Sequence, residues 1–112
     1  MPEPFPPKPF RCDLEDAGGG IARIRPAGEL DMATVDQFEE CLREAQGAGF
    51  RRIVADLREL EFMDSTGLTL LTRWTLGAQR DGYEFAVVPG AEQIQRLFEL
   101  TGLSAHFTFE DE

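Results

Sequence analysis

The chain has 112 residues, which suits a single domain with a core of ordinary size. Its 42% hydrophobic and 29% charged residues are typical of soluble globular proteins, and no apolar run approaches the ~20 residues of a membrane span. The formal net charge of -10 would repel both nucleic acid and anionic membrane surfaces, so direct binding to either is disfavoured. Because the first residues do not read as a secretory signal, we expect a cytoplasmic protein.

The N-terminal part of the chain divides into a leader and a hairpin. Residues 1–9 carry five prolines, which fix the backbone dihedral and remove amide donors, so we expect a flexible proline-rich leader. From residue 10, "FRCDLED" is typical of a short strand, and "AGGG" at 17–20 is typical of a flexible turn. The following "IARIRPAG" completes the pattern of an antiparallel hairpin.

A first helix is predicted after this hairpin. Thr34 followed by Gln37 fits a capping box, and Asp31 is an alternative cap slightly upstream. Apolar residues then recur at helical spacing, namely Val35, Phe38, Leu42 and Ala45. The glycines of "GAG" at 47–49 end the helix.

The middle of the chain predicts a buried strand, a loop and a second helix. "RRIVADL" at 51–57 is a short apolar run typical of a strand covered on both faces, and "RELEFM" at 58–63 is interpreted as a loop. A helix is predicted from Ser65 to about Arg80, with Leu76 as an apolar residue on its polar face. Leu76 is interpreted as an isolated exposed residue, or alternatively as part of a partner or dimer contact.

The C-terminal part predicts one more strand and one more helix. "DG" at 81–82 turns the chain, "YEFAVV" has the pattern of a buried strand, and a helix follows that contains Ile94, Leu97 and Phe98 and stops at Gly102. "AHFTFEDE" suggests a last edge strand within a domain spanning residues 10–109, followed by an acidic tail at 110–112. Strands that alternate with amphipathic helices predict an α/β fold, in which a mixed sheet is flanked by helices.

The sequence offers no support for catalysis. His106 is the only histidine and has no acid or nucleophile near it in sequence, so a structural or surface role is expected. No nucleotide-binding, metalloprotease or serine-hydrolase motif is present, and we expect no cofactor and no metal site. Cys12 and Cys41 lack CxxC spacing and histidine neighbours, so they are interpreted as ordinary reduced thiols and not as a zinc site or a redox pair.

The stretch "DSTG" at 64–67 has two interpretations. Asp64 or Ser65 can cap the helix by accepting hydrogen bonds from unpaired amides, which contributes about 1 kcal/mol. Alternatively, Ser65 is a hydroxyl that accepts a phosphate, which the free amides and the positive end of a helix dipole would tolerate. Such a phosphate adds about 1.5 to 2 negative charges and could exclude a partner without unfolding the domain.

Three segments together resemble a STAS domain of the kind found in single-domain anti-sigma factor antagonists of bacterial partner-switching systems. They are "GELDMATVDQFEECL" (28–42), "RRIVADLRELEFMDSTGLTLL" (51–71) and "FAVVPGAEQIQRLFELTGL" (85–103). The resemblance implies a mixed sheet of four or five strands flanked by helices. It also implies that the residue which accepts the phosphate stands at the N-terminus of the helix that follows the central strand, which is Ser65 here.

The resemblance further implies a switch between protein partners. The unphosphorylated antagonist would bind an anti-sigma factor that is also a serine kinase and so release the sigma factor; the kinase would phosphorylate Ser65, and a serine phosphatase would reverse this. Thr66 is a less favoured acceptor, and the partner-binding residues would be Asp31, Asp64, Thr66 and Gly67. The protein would be a monomer or a weak homodimer. The alternative is a STAS scaffold in a larger assembly that is never phosphorylated, and a third hypothesis is a small enzyme whose paired groups the sequence does not reveal.

Overall fold

The structure is a computed structural model that describes residues 9–110. The leader predicted at 1–9 lies outside the described residues except for Pro9, and so do residues 111 and 112 of the predicted tail. The strands are β1 (Arg11–Gly18), β2 (Ile21–Leu30), β3 (Arg52–Asp56), β4 (Leu60–Met63) and β5 (Glu84–Val88), and the helices are α1 (Val35–Gly47), α2 (Ser65–Asp81) and α3 (Glu92–Leu100).

The five strands form one mixed sheet. β1 and β2 form the predicted antiparallel hairpin, and the remaining neighbours are parallel in the order β1-β2-β3-β5. The hairpin turns through Gly18, Gly19 and Gly20, all of which have positive φ, a conformation that glycine adopts without steric penalty. The α/β fold with a mixed sheet of four or five strands is therefore confirmed, with five strands.

The prediction of a loop at 58–63 is wrong, because residues Leu60–Met63 form β4. β4 pairs in parallel with the last part of β2, where Gly28 lies opposite Leu60 and Leu30 lies opposite Met63. β2 is long enough for its first half to pair with β3 and its last three residues to pair with β4. The strand "LEFM" thus pairs with the end of β2, which is about 30 residues earlier in the chain. A local residue pattern does not reveal a pairing over this distance.

The main core lies between the sheet and the three helices. The inward side chains of the helices include Phe38, Leu42, Leu71, Trp74 and Phe98, and they join the inward residues of the strands in one cluster. The opposite face of the sheet carries a smaller buried cluster of Val54, Ala86 and Val88, against which Ile21 packs. β3 is buried on both faces, as its apolar run predicts.

Two details at the element ends differ from prediction. Thr34 precedes α1 but caps nothing with its side chain; its hydroxyl instead donates to the Glu29 carbonyl at 2.8 Å and accepts from the Asp31 amide at 3.0 Å. The prediction of a capping box formed by Thr34 and Gln37 is thus wrong, because the Thr34 hydroxyl is hydrogen-bonded within the loop before the helix. Near the C-terminus, Ser104–His106 forms a short 3-10 helix, and the expected edge strand is reduced to one bridge between Phe109 and Val87.

Candidate functional site

The candidate site is the N-terminus of α2, and its cap is Asp64. One carboxylate oxygen of Asp64 accepts hydrogen bonds from the amides of Thr66 at 2.8 Å and Gly67 at 3.4 Å. Ser65 is the first helical residue and is exposed, and its hydroxyl makes no hydrogen bond to any other residue in the 9–110 range. Of the two candidate caps, Asp64 thus takes the structural role, which leaves the Ser65 hydroxyl available to solvent and to a partner.

This capping changes the expected surroundings of a phosphate on Ser65. Sequence reasoning assumed free amides at the helix start, but Asp64 already binds those of Thr66 and Gly67, and the Leu68 amide donates to the Asp64 carbonyl. A phosphate on Ser65 would therefore lie beside a carboxylate and project into solvent, stabilised by the helix dipole more than by amide hydrogen bonds. Such a group alters the surface that a partner meets and leaves the interior unchanged.

Gly67 lets the first turn of α2 approach the sheet closely. A Cβ atom at this position would lie 2.7 Å from Met63 Cγ and 2.9 Å from Leu30 Cδ2, and both of these side chains are buried. Gly67 itself is buried, whereas Thr66 is half-buried and Ser65 is exposed. Within the predicted site, Gly67 therefore positions the helix and offers little surface for direct contact with a partner.

Asp31 and Asp64 lie at neighbouring strand ends. Leu30 and Met63, the last residues of β2 and β4, are paired in the sheet, and the Asp64 amide donates to the Leu30 carbonyl at 3.2 Å. Each acidic residue directly follows its strand, so the sheet brings to one edge two segments that are more than 30 positions apart. Asp31 also accepts a hydrogen bond from the Ala33 amide at 2.9 Å, which holds its carboxylate in the loop before α1.

Two exposed apolar side chains flank this edge, and sequence reasoning did not identify either of them. Met32 follows Asp31 and is 79% exposed, and Phe62 on β4 is 46% exposed. Phe62 is exposed although Leu60 and Met63, at the two ends of β4, are buried in the core. Met and aromatic side chains are enriched in the centres of protein interfaces. The signal in the sequence was an apolar residue beside each acidic motif, "LDM" and "EFMD".

The other residues considered for function lie away from this edge. His106 is exposed, which confirms a surface position. Leu76 is 55% exposed on α2, in a shallow groove also lined by Trp74, Arg73 and Arg80. Among residues 9–110, no group of three or more His, Cys, Asp or Glu side chains is arranged to hold a metal ion. No helix in the same range is long and apolar enough to cross a membrane.

Asp56 is a buried carboxylate at the end of β3, and it belongs to an ion-pair network. Its oxygens accept hydrogen bonds from Arg58 at 2.7 and 2.9 Å and from Arg23 at 3.2 Å. Burial by itself raises the pKa of Asp56, but the hydrogen bonds from Arg58 and Arg23 outweigh it and hold the pKa below its ordinary value. Asp56 is the only buried charged side chain among the described residues, and its ion pairs with arginine give it a structural role.

The two cysteines lie on elements that pack against each other. Cys12 on β1 and Cys41 on α1 are both half-buried against the main core, and both carry free thiols. β1 and α1 meet only through the packing of the helix on the hairpin, so local sequence patterns do not relate the two positions.

Comparisons with known proteins agree with this architecture. The STAS domain family model matches residues 17–112. The anti-sigma-B factor antagonist of Staphylococcus aureus is 36% identical over 80 residues, which make up 71% of this chain and 74% of that protein. A solved anti-sigma factor antagonist from Mycobacterium paratuberculosis is 26% identical and has a TM-score of 0.74, with 90% of this chain and 85% of that chain covered.

The fold is also that of SpoIIAA, an anti-sigma factor antagonist whose structure was solved in the unphosphorylated form. That structure has a TM-score of 0.74 and 23% identity, and covers 91% of this chain and 88% of its own. At this level of identity the similarity supports the fold: a small mixed sheet with its helices arranged in the same way.

Proposed function

Because this chain belongs to the STAS domain family, we propose that it is an anti-sigma factor antagonist and that phosphorylation of Ser65 switches it off. The observation that carries the proposal is the exposed Ser65 hydroxyl at the start of α2, which is free of capping because Asp64 satisfies the helix amides. A residue in this position can be modified while the helix keeps its cap and the core keeps its packing.

The proposed partner surface is the sheet edge around Ser65. It combines the carboxylates of Asp31 and Asp64 with the exposed apolar side chains of Met32 and Phe62. An apolar centre with charged surroundings is typical of specific protein interfaces. A phosphate at Ser65 would place about 1.5 to 2 further negative charges inside this surface and would have to be desolvated on binding, so it opposes association.

The partner is an anti-sigma factor that is also a serine kinase. In the unphosphorylated state this protein would bind it and thereby release the sigma factor; the kinase would transfer a phosphate to Ser65 and a serine phosphatase would remove it. The chain's net charge of -10 fits a regulator of transcription that acts through another protein and does not itself contact DNA.

The decisive experiment compares binding by variants that differ in one charge. We expect Ser65→Ala to bind the purified serine-kinase anti-sigma factor of the same organism, and Ser65→Asp to bind it at least about tenfold more weakly. The first turn of α2 contains no acidic residue, so a carboxylate at position 65 meets the positive end of the helix dipole and should leave the melting temperature unchanged or slightly raised. Lost binding would then not reflect unfolding.

Gln79→Glu is the control, because Gln79 is exposed on the same helix about four turns further along. It introduces one negative charge at the far end of α2, outside the proposed surface, and should retain binding. Incubation with the kinase and ATP should add about 80 Da to the wild-type chain and to Thr66→Ala, and nothing to Ser65→Ala. No mass gain with any anti-sigma kinase of the organism would instead favour the scaffold function, and equal binding by the alanine and aspartate variants would refute the switch.

A further inference from the structure

One face of the sheet has no helix packed on it. The buried apolar side chains of all three helices belong to the main core, which lies on the other face. Among residues 9–110, the smaller cluster on the helix-free face is made up of strand residues alone. Its members alternate with main-core residues along β3 and β5, in the segments "RIVAD" and "EFAVV". The helix-free face is thus centred on Val54, Ala86 and Val88.

The apolar side chains of the helix-free face are nonetheless buried. Val54, Ala86 and Val88 are 1%, 0% and 2% exposed. Side chains in a strand stand roughly perpendicular to the sheet, so lateral neighbours cover their flanks and leave their ends open to solvent. Continuous apolar runs in parallel strands are typical of strands that are covered on both faces. Burial this complete therefore requires a segment that lies over the face.

The same face carries a group of arginines. Arg23 and Arg58 both pair with the buried carboxylate of Asp56, at 3.2 and 2.7 Å. Arg25 lies 3.8 Å from the same carboxylate and 3.1 Å from a carboxylate oxygen of Glu15. Guanidinium groups thus outnumber carboxylates in this network of described residues, although the chain as a whole is acidic. A segment with one apolar and one acidic side chain would complement the face in both shape and charge.

Residues 1–8 are long enough to cross the helix-free face from the point where the described chain begins. Pro9 and Phe10 lie beside β2, where a Cβ atom on Gly28 would be 3.4 Å from Phe10 Cα. The path from β1 to β5 crosses the sheet over three strand spacings, which amount to about 14 Å. A segment of this length in the polyproline conformation extends for about 25 Å. The chain before Pro9 can therefore reach the far side of the apolar cluster.

The composition of this segment, "MPEPFPPK", suits a position across the strands. The strands already pair with one another, so a segment that crosses them finds few backbone groups with which to form hydrogen bonds. Four of its eight residues are proline, which has no amide hydrogen to leave unsatisfied. Phe5 is its aromatic side chain and Glu3 is its acidic one. The segment therefore offers one apolar and one acidic group to a face with an apolar cluster and a group of arginines.

We propose that residues 1–8 lie across the helix-free face as a strap, in which Phe5 packs on the apolar cluster and Glu3 pairs with the arginines near the end of β3. The strap makes the first residues of the chain part of the domain. It also withholds an apolar patch from solvent, where such a patch promotes association with other proteins. The helix-free face is thereby closed, and partners meet the domain at its other surfaces.

Photo-cross-linking of the full chain tests the position of the strap. Phe5 is replaced by p-benzoylphenylalanine, the protein is irradiated at low concentration, and the linked peptides are identified by mass spectrometry. We expect a link within one chain, from position 5 to the peptide that contains β3 or β5. A link to a helix, a link between two chains, or the absence of any link in the folded protein would overturn the proposal.

Thermal unfolding tests the contact between Phe5 and the cluster. Phe5→Ala should lower the melting temperature by about 4 °C or more, because it removes a packed aromatic side chain from a domain of this size. Leu100→Ala is the control, because Leu100 is 78% exposed, and it should change the melting temperature much less. In a Val88→Ala background the effect of Phe5→Ala should shrink, since the two side chains share a contact. No loss with Phe5→Ala, or an equal loss in both backgrounds, would refute this contact.

The salt dependence of Glu3→Gln tests the charged contact. The substitution should lower the melting temperature at low ionic strength, and the loss should disappear at high salt because exposed ion pairs are screened. An unchanged melting temperature at low salt, or a loss that is the same at both salt concentrations, would refute the pairing of Glu3 with the arginines. None of these measurements depends on Ser65, so their result is independent of the proposed switch.

Discussion

Gly67→Ala and Gly77→Ala add the same methyl group to the same helix, and we expect them to change stability in opposite directions. Alanine is favoured over glycine inside a helix by about 1 kcal/mol, so both substitutions gain this amount from helix propensity. The surroundings of the two positions then decide the net sign. Any difference between the variants reports the packing of α2 on the sheet, because the chemical change is identical.

At position 67 the new Cβ would lie 2.7 Å from Met63 Cγ and 2.9 and 3.0 Å from two atoms of Leu30. Met63 is 6% exposed and Leu30 is fully buried, so neither side chain can move into solvent. Overpacking of this kind typically costs about 1 to 3 kcal/mol, and two close contacts place this site in the upper half of that range. After the propensity gain, the free energy of unfolding should fall by about 1 to 2 kcal/mol.

At position 77 the nearest atom to a new Cβ is Arg80 Nη2 at 3.5 Å, an ordinary contact with the end of an exposed side chain. Gly77→Ala should therefore raise the free energy of unfolding by about 0.5 to 1 kcal/mol. Urea denaturation followed by circular dichroism measures both values. If Gly67→Ala is stabilised as much as Gly77→Ala, then the first turn of α2 does not approach β2 and β4 as closely as the structure shows.

Further predictions concern the cap and the buried carboxylate. Asp64→Ala should lower the free energy of unfolding by about 1 kcal/mol because two amides lose their acceptor, whereas Asp64→Asn, which can still accept, should lower it much less; equal losses would contradict the capping role. Asp56 contributes stability fully above its ordinary pKa of 3.8 and loses it as the pH falls below that value, because its pKa is lowered in the folded state. The destabilisation caused by Asp56→Asn should therefore shrink in urea titrations below pH 3.8, and a difference that is independent of pH would show that folding does not lower the pKa of Asp56.

Most elements could be predicted because their signals are local. The helix from Ser65 was predicted to end near Arg80 and ends at Asp81, where Gly82 adopts the left-handed conformation that closes helices. The parallel pairing of β2, β3 and β5 is expected for strands that are separated by helices. The resemblance of three segments to STAS domains predicted the family, and the family-model match confirms it. Position 65 as the modified hydroxyl stays a prediction.

The failures concern residues whose partners are far away in the chain. The segment "LEFM" is too short for its residue pattern to predict a strand. It forms β4 because its backbone pairs with the end of β2. The spacing of Thr34 and Gln37 predicted a helix cap. In the structure the Thr34 hydroxyl is instead hydrogen-bonded to the Glu29 carbonyl and the Asp31 amide. The sequence did not distinguish Met32 and Phe62 from other apolar residues. Their exposure at one edge follows from the packing of the folded chain.

The sequence by itself determined the periodicity of the elements, the excess of acidic residues and the polar motif at the start of α2. These properties depend on neighbours along the chain, where hydrogen bonding and side-chain spacing act over a few residues. Only the tertiary structure decided that Asp31 stands beside Asp64 and that the first turn of α2 lies close to Leu30 and Met63 at Gly67. Each of these contacts is made across the sheet or between a helix and the sheet, so it exists only once the core has formed.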